Sequence, residues 1–418
     1  MRPGDSQPTI DLDARGRSVS QSPKTAPKTD AGKVATGFLV LLLAWTSVTA
    51  NAESSAIDAS ASGSLPLDSV GLVSPLWVAQ QVQQWAAEHS PAARMLDSER
   101  LAAGKGIDRK NARQCAEASL KQQVMSHLAA HERNRAAADA LEVYCRMVAL
   151  TQQRLFLDEA LVVTQRLIDL AEQAESLGRN DQDPRDVRRQ RDRTLDQQLQ
   201  LESGVEKLRM QLAQLTGQKR EIAQQAILID PLWLGGIIAT EDEAIAVALG
   251  NRADLRAVQT ISQRLNEQTL PATRGLLAAQ QPGLGMSPTV IRRFLWSCIS
   301  NADGNSQDLA VRRQQISSLV ASRREQIEHD VRTAIIDLST AQQRSQLAHQ
   351  RYSLATASVE RAQAAIDLDR AGPGSDLRAR LESLSEQGTL LQHQTDEAVA
   401  WVRLRQSQGL AAKVLPNR

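Results

Sequence analysis

Aromatic residues are scarce in this chain. Among 418 residues there are three Phe, two Tyr and six Trp, 3% in all. A buried aromatic supplies roughly 150–250 Å² of core, so a core built here must rest on Ala, Leu and Val. That composition argues against a lipid-facing barrel with aromatic girdles and against a β-sandwich. An excess of charge is missing as well: 49 Lys and Arg stand against 48 Asp and Glu, for a net charge of +1. Neither the electrostatic footprint of a nucleic-acid binder nor a disordered acidic tail fits such a balance. Cysteine is limited to Cys115, Cys145 and Cys298. The first two fall on one expected helix, about 45 Å apart at 1.5 Å per residue, so they cannot pair with each other. Disulfides are not the framework of this fold.

Long apolar runs are also lacking. The run at 34–44, Val-Ala-Thr-Gly-Phe-Leu-Val-Leu-Leu-Leu-Ala, is too short to span a bilayer. Lys33 precedes it and Ala50-Asn51-Ala52 follows as a small-x-small site. This is the layout of a secretory signal cut after Ala52, behind a polar leader over 1–32; an uncleaved buried segment is the alternative. No Cys follows the cut, so no lipid anchor is expected there. Residues 53–74 read as a flexible lead-in.

What the chain does contain is uninterrupted helix. Neither Gly nor Pro occurs between Gly106 and Gly178, or from Asn305 to Ala371. As single helices, 107–177 and 305–371 would each be about 100 Å long. Turns follow at Gly178–Pro184 and Gly372–Ser375, and shorter helices return over 185–216 and 376–410. The expected class is all-α: long antiparallel helical hairpins with at most one short β-hairpin. On the first long helix Leu141, Val148, Leu155 and Val162 form one stripe, and Leu150, Leu157 and Ala171 another. On the second, Tyr352, Val359 and Ile366 form one stripe, and Leu347, Leu354 and Leu368 another. Paired stripes on nearly opposite sides suit a stave in a closed ring; a bundle or multi-stranded coiled coil is the blander alternative.

An internal repeat runs through these hairpins. Gln152-Gln153-Arg154 returns as Gln342-Gln343-Arg344, and Asp186-x-Arg188 as Asp376-x-Arg378, each 190 positions on. The segment from Glu88 to Arg94 matches Gly250 to Arg256 at a spacing of 162. The expected division is a first helical repeat over 75–232, a second over 233–412 with an insert at 269–304, and a tail at 413–418.

The run Glu241-Asp242-Glu243-Ala244-Ile245-Ala246-Val247-Ala248-Leu249-Gly250-Asn251-Arg252-Ala253-Asp254-Leu255-Arg256 resembles the repeat start of the outer-membrane efflux protein family, the TolC-like exit ducts of Gram-negative bacteria. Asn251, Asp254, Leu255 and Arg256 carry that motif, and Asp186-Val187 and Asp376-Leu377 match the family's hairpin turns. The resemblance covers roughly 75–412. It implies a homotrimer whose hairpins close into a periplasmic α-barrel capped by a twelve-stranded membrane barrel, four strands per protomer. It also implies a periplasmic adaptor and an inner-membrane pump as partners. Docking would fall at the hairpin tips: Gly178, Asp183, Asp186 and Arg188 in the first repeat, and Gly372, Gly374, Ser375 and Asp376 in the second. Gly178 and Gly372 would supply left-handed turns, while Asp186 and Asp376 would favour helix N-termini.

One departure stands out. Only Ala102–Gly106 separates the helices of the first repeat, and a membrane strand needs about 9–11 residues. In the second repeat, 269–304 holds one hairpin at most, and Arg292-Arg293 spoil the alternation of its strand-like piece, Thr289–Trp296. The membrane barrel is therefore expected to be reduced or lost.

Other candidate sites are weak. Arg185, Arg188, Arg189, Arg191 and Arg193 interleave with Asp183, Asp186 and Asp192, which reads as a solvated helix face or as the adaptor surface rather than a nucleic-acid patch. His127 and His131 have metal-compatible spacing, but Leu128-Ala129-Ala130 between them lack the Glu of a zinc hydrolase. Trp77, Trp85 and Trp233 read as local staples or interface anchors. No catalytic, metal or cofactor site is expected, and no cofactor. Two readings stand: an efflux or secretion duct subunit in the outer membrane or periplasm, and a periplasmic coiled-coil scaffold of the same fold without transport.

Overall fold

The computed structural model describes residues 75–178, 184–230, 240–280 and 304–413. The leader, the signal-like run, the lead-in, Trp233, Cys298 and the Thr289–Trp296 segment lie outside the described residues.

The helices fall into two matching series. The first is α1 (Ala79–His89), α2 (Pro91–Ala102), α3 (Ala112–Ser176) and α4 (Pro184–Thr216), followed by short α5 (Arg220–Gln225). The second is α6 (Glu241–Asn251), α7 (Ala253–Arg264), α8 (Leu270–Gln280), α9 (Gly304–Asp367) and α10 (Ser375–Ser407). Setting α5 and α8 aside, the lengths are 11, 12, 65 and 33 residues against 11, 12, 64 and 33. The insert expected at 269–304 therefore begins as a helix, α8, and not as a strand.

Local chemistry explains the boundaries. The Asn111 side chain accepts from the Gln114 N–H at 3.2 Å and starts α3. Asp108 turns the chain before it by accepting from the Lys110 N–H at 3.0 Å, so the helix begins at 112 instead of 107. Ser90 caps α2 with Pro91 in the first turn, and Thr240 and Glu243 form a reciprocal capping box on α6. At its far end α9 stops at Asp367 in a Schellman closure: the Arg370 N–H reaches the Ala365 carbonyl at 2.8 Å and the Asp369 N–H reaches Ile366 at 2.9 Å. Asp369 takes the left-handed conformation there, with φ 55°, and Gly374 takes it before α10, with φ 87°. Gly372, expected in that role, does not. Asp tolerates this conformation through its short polar side chain.

The long helices lie side by side in the order α4, α3, α10, α9. Their seams are built from small residues: Ala138, Ala334, Ala341 and Ala400 sit with Val331, Leu338 and Trp401 in one continuous core. Within α9 a single stripe is buried, from Ile316 through Ile327, Val331, Leu338 and Ala348 to Ala355. The stripe expectation needs correcting. Leu157 and Ala171 are buried and Leu150 partly so, but Leu155 and Val162 are exposed, as are Leu347, Leu354 and Leu368. One protomer covers one face of α9, and its second apolar stripe meets solvent.

Among the described residues the only strands are β1 (Leu76–Trp77) and β2 (Ile227–Leu228), a parallel pair in the register Leu76↔Ile227. The pair ties the start of the first repeat to its end, ahead of α1 and just after α5. Trp77 is fully buried and meets Trp85 edge-on, ring centroids 5.5 Å apart. The Tyr144 hydroxyl donates to the Trp77 carbonyl at 3.1 Å. These tryptophans are staples. No described helix is long and apolar enough to cross a membrane.

Candidate functional site

The two hairpin tips are not level. α3 runs on to Ser176 and closes at Gly178, φ 71°, with open space around it. The second tip folds back earlier: a Cβ on Gly374 would stand 3.2 Å from Leu167 Cδ2. Eight to eleven residues of α3 beyond Leu170 and Leu167 make the first tip project by about 12–16 Å. Gly178, Asp186 and Arg188 therefore form one group, and Gly372, Gly374, Ser375 and Asp376 another; Asp183 lies outside the described residues. Asp186 and Asp376 sit in the first turns of α4 and α10, where the helix N-terminus favours them.

The arginines of the first tip are held by neighbours. Arg188 Nη2 donates to Glu172 Oε1 at 2.5 Å, across the hairpin. Arg189 pairs with Asp186 at 3.3 Å and Arg191 with Asp192 at 3.5 Å. Among the described residues this surface is solvated, its arginines interleaved with acids and not massed for nucleic acid.

The repeat-start motif forms a buried joint where α7 begins against the end of α10. Arg252 Nε donates to Asp254 Oδ1 at 2.9 Å and Nη2 to Oδ2 at 2.8 Å, a bidentate pair. Its Nη1 reaches the Ser407 carbonyl at 3.2 Å, in the last turn of α10, and Asp330 at 3.4 Å. A cation at that helix C-terminus offsets the macrodipole. Burial pushes the Asp254 carboxyl up, but the Arg252 hydrogen bonds and charge, with His131 and Arg323 behind them, hold it below the usual carboxylate range. Asn251 accepts from Lys413 Nζ at 2.7 Å, Leu255 enters the core, and Arg256 donates to the Gly250 carbonyl. These bonds are satisfied within the chain and make a structural joint between α7 and the end of α10.

His131 lies 3.9 Å from Asp254, and burial lowers its pKa. Beside it a groove of about 440 Å³ opens between α3, α9 and α10, lined by Arg135, His329, Asp330, Asp337 and Arg403 among others. Arg403 is committed to Glu142 at 2.9 Å. Among the described residues no group of His, Cys, Asp and Glu could hold a metal ion.

Sequence reasoning missed the closure of this joint. Gly409, φ 72°, follows α10 and lies against Asn251, where a Cβ would meet the backbone at 3.2 Å. Gly217, φ 68°, follows α4 and lies against His89 in the same way. The pair sits 192 positions apart, close to the repeat spacing, and that was the available signal.

No family model matches the sequence, and no curated protein sequence matches it. Solved structures do. The outer membrane protein VceC of Vibrio cholerae aligns over 79% of this chain and 96% of its own, at 13% identity and TM-score 0.58. The CmeC outer membrane channel of Campylobacter jejuni aligns over 80% and 86%, at 10% identity and TM-score 0.59. The MtrE outer membrane channel of Neisseria gonorrhoeae, in its open state, aligns over 80% and 89%, at 15% identity and TM-score 0.52. The chain therefore has the fold of the TolC-like outer membrane channels. At these identities the likeness is one of fold.

Proposed function

We propose that the chain is a duct subunit of an efflux or secretion system, exported by its N-terminal signal and working with a periplasmic adaptor and an inner-membrane pump. The observation that carries this reading is the pair of open edges. In the order α4, α3, α10, α9, each outer helix buries one stripe and offers a second. Leu199 on α4 is 66% exposed and Leu354 on α9 is 67% exposed, and by the helix rise they stand within about one turn of the same height. Glu202 and Arg351 lie beside them, exposed and with no ion-pair partner among the described residues. The α4 edge of one copy thus complements the α9 edge of the next, and repetition closes a ring. A trimer follows the resemblance. Its lumen would be a passive conduit needing no cofactor, opened by separation of the hairpins, with the projecting tip at Gly178, Asp186 and Arg188 meeting the adaptor.

The scaffold reading has one observation in its favour: only the nine residues Ala103–Asn111 join α2 to α3, too few for a membrane hairpin. One experiment separates the two. In a background with the native cysteines replaced by Ser, Leu199→Cys with Leu354→Cys should crosslink into closed trimers that show a central lumen by electron microscopy. A monomer, or an oligomer without a lumen, would sink the duct.

A further inference from the structure

The α2–α3 turn is at the opposite end of the hairpin from the tips, and it is basic. Lys105, Arg109, Lys110 and Arg113 crowd into it with a single acid, Asp108. In a chain of net charge +1 this is a local concentration of one sign. Arg113 is committed to Glu117 at 3.1 Å. The side chains of Lys105, Arg109 and Lys110 are exposed and have no hydrogen-bond or ion-pair partner among the described residues. At the opposite tip the arginines stand beside acids instead, Arg188 with Glu172 and Arg189 with Asp186.

The turn is also built. Gly106 holds φ 72° with nothing within 4 Å of a Cβ, and Gly104 presses so closely on the Gln122 side chain that a methyl there would displace it. Asp108 spends one oxygen on the Lys110 N–H, which fixes the loop that presents the cations. Leu101, in the last turn of α2, is 61% exposed, four residues before Lys105. Apolar side chains beside fixed, unpaired cations at the end of a rod are the ingredients of an interfacial membrane contact.

We propose that this turn docks on the anionic phospholipid surface of the outer membrane's inner leaflet, holding the duct against the bilayer by charge where a membrane-spanning hairpin is too long to fit. The orientation rests on the duct reading, in which this end faces the outer membrane. Ring closure would present the turn once per copy, so binding would be multivalent.

The test is co-sedimentation of the full exported chain with vesicles of phosphatidylethanolamine and roughly one-quarter phosphatidylglycerol, against phosphatidylcholine alone. Binding is expected only to the anionic vesicles and should weaken steeply between ~0.05 M and ~0.5 M salt. Lys105→Gln, Arg109→Gln and Lys110→Gln together should cost about a hundredfold in partitioning per copy, since each cation near such a surface is worth roughly fivefold. Helix content by circular dichroism should not change. Equal binding to neutral vesicles, no binding at all, or full binding by the triple variant at high salt would each overturn the proposal, the last by showing insertion elsewhere. A monomer that binds anionic vesicles through the turn would keep this proposal and discard the duct. A ring that ignores them would do the reverse.

Discussion

Gly217 lies so close to His89 that a Cβ on it would run into the imidazole ring. The contact joins the end of α4 to the α1–α2 junction, as Gly409 and Asn251 join α10 to α6–α7. Gly217→Ala meets two penalties, the left-handed φ of 68° and the ring. The expected loss is about 1–2 kcal/mol in denaturant unfolding. Adding His89→Ala should recover the steric part but not the backbone part. Full recovery in the double variant would mean the backbone conformation costs nothing here.

Arg252 and Asp254 hold the second junction together from inside the core. Asp254→Ala would leave a buried guanidinium with only Asp330 and Ser407, and should destabilise by about 3 kcal/mol. The pH dependence has a definite sign. Asp254 titrates below its usual range in the folded chain, so the unfolded chain binds its proton first as pH falls through about 4. Its contribution is fully present above that pH and disappears as pH falls through the lower folded value. In a His131→Gln background, which removes the imidazole whose pKa Asp254 raises, stability should therefore drop more steeply below about pH 4 with Asp254 than with Asp254→Asn, with no difference in slope between pH 5 and 7. The other charged groups around it, Arg252, Arg323 and Asp330, are common to both proteins, so the comparison isolates one carboxyl.

The long hairpins and the repeat were legible because Gly and Pro are costly inside a helix, and two stretches of more than sixty residues free of both leave few alternatives to long helices. The faces were legible only in part. Leu155, Val162, Leu347 and Leu354 follow the same seven-residue period as the buried Leu157 and Val148, and periodicity says that a face is apolar without saying what covers it. In the single chain nothing covers them. The α9–α10 turn was misread at Gly372 because any of several residues can take the left-handed position, and the Schellman bonds at Asp369 decide which. α8 was hidden inside the expected insert because Pro271 and Gly275 break up Leu270–Gln280, and such punctuation reads as loop. Arg252 escaped notice because its role depends on Ser407, 155 residues away.

The cysteines should differ sharply in reactivity. Cys145 is packed against Ala398 and Val399, and burial, with Glu142 nearby, pushes its thiol up to about 12. At pH 8 only about one part in ten thousand is thiolate, and the side chain is shielded as well. Cys115 sits half-buried near the start of α3. In a Cys298→Ser background, Ellman's reagent should titrate one thiol quickly under native conditions and a second only on unfolding. Two fast thiols would mean that α3 and α10 separate readily at this level.

Charge exchange across the proposed edge contact tests its register. Arg351 on α9 and Glu202 on α4 both point away from the protomer's own seams, so reversing either should leave the helices intact. Arg351→Glu would place two acids together at each contact, and Glu202→Arg two cations, and either should weaken ring assembly by roughly tenfold per contact. The double exchange restores opposite charges and should restore assembly, measured as oligomer mass against concentration by light scattering. Leu354→Glu supplies the complementary case, since an acid on the apolar stripe has no rescuing partner in the double exchange. If the double exchange assembles no better than the single variants while Leu354→Glu still dissociates the ring, the edges meet but in a different register. If none of the three changes the mass, α4 and α9 do not face each other in the assembly at all.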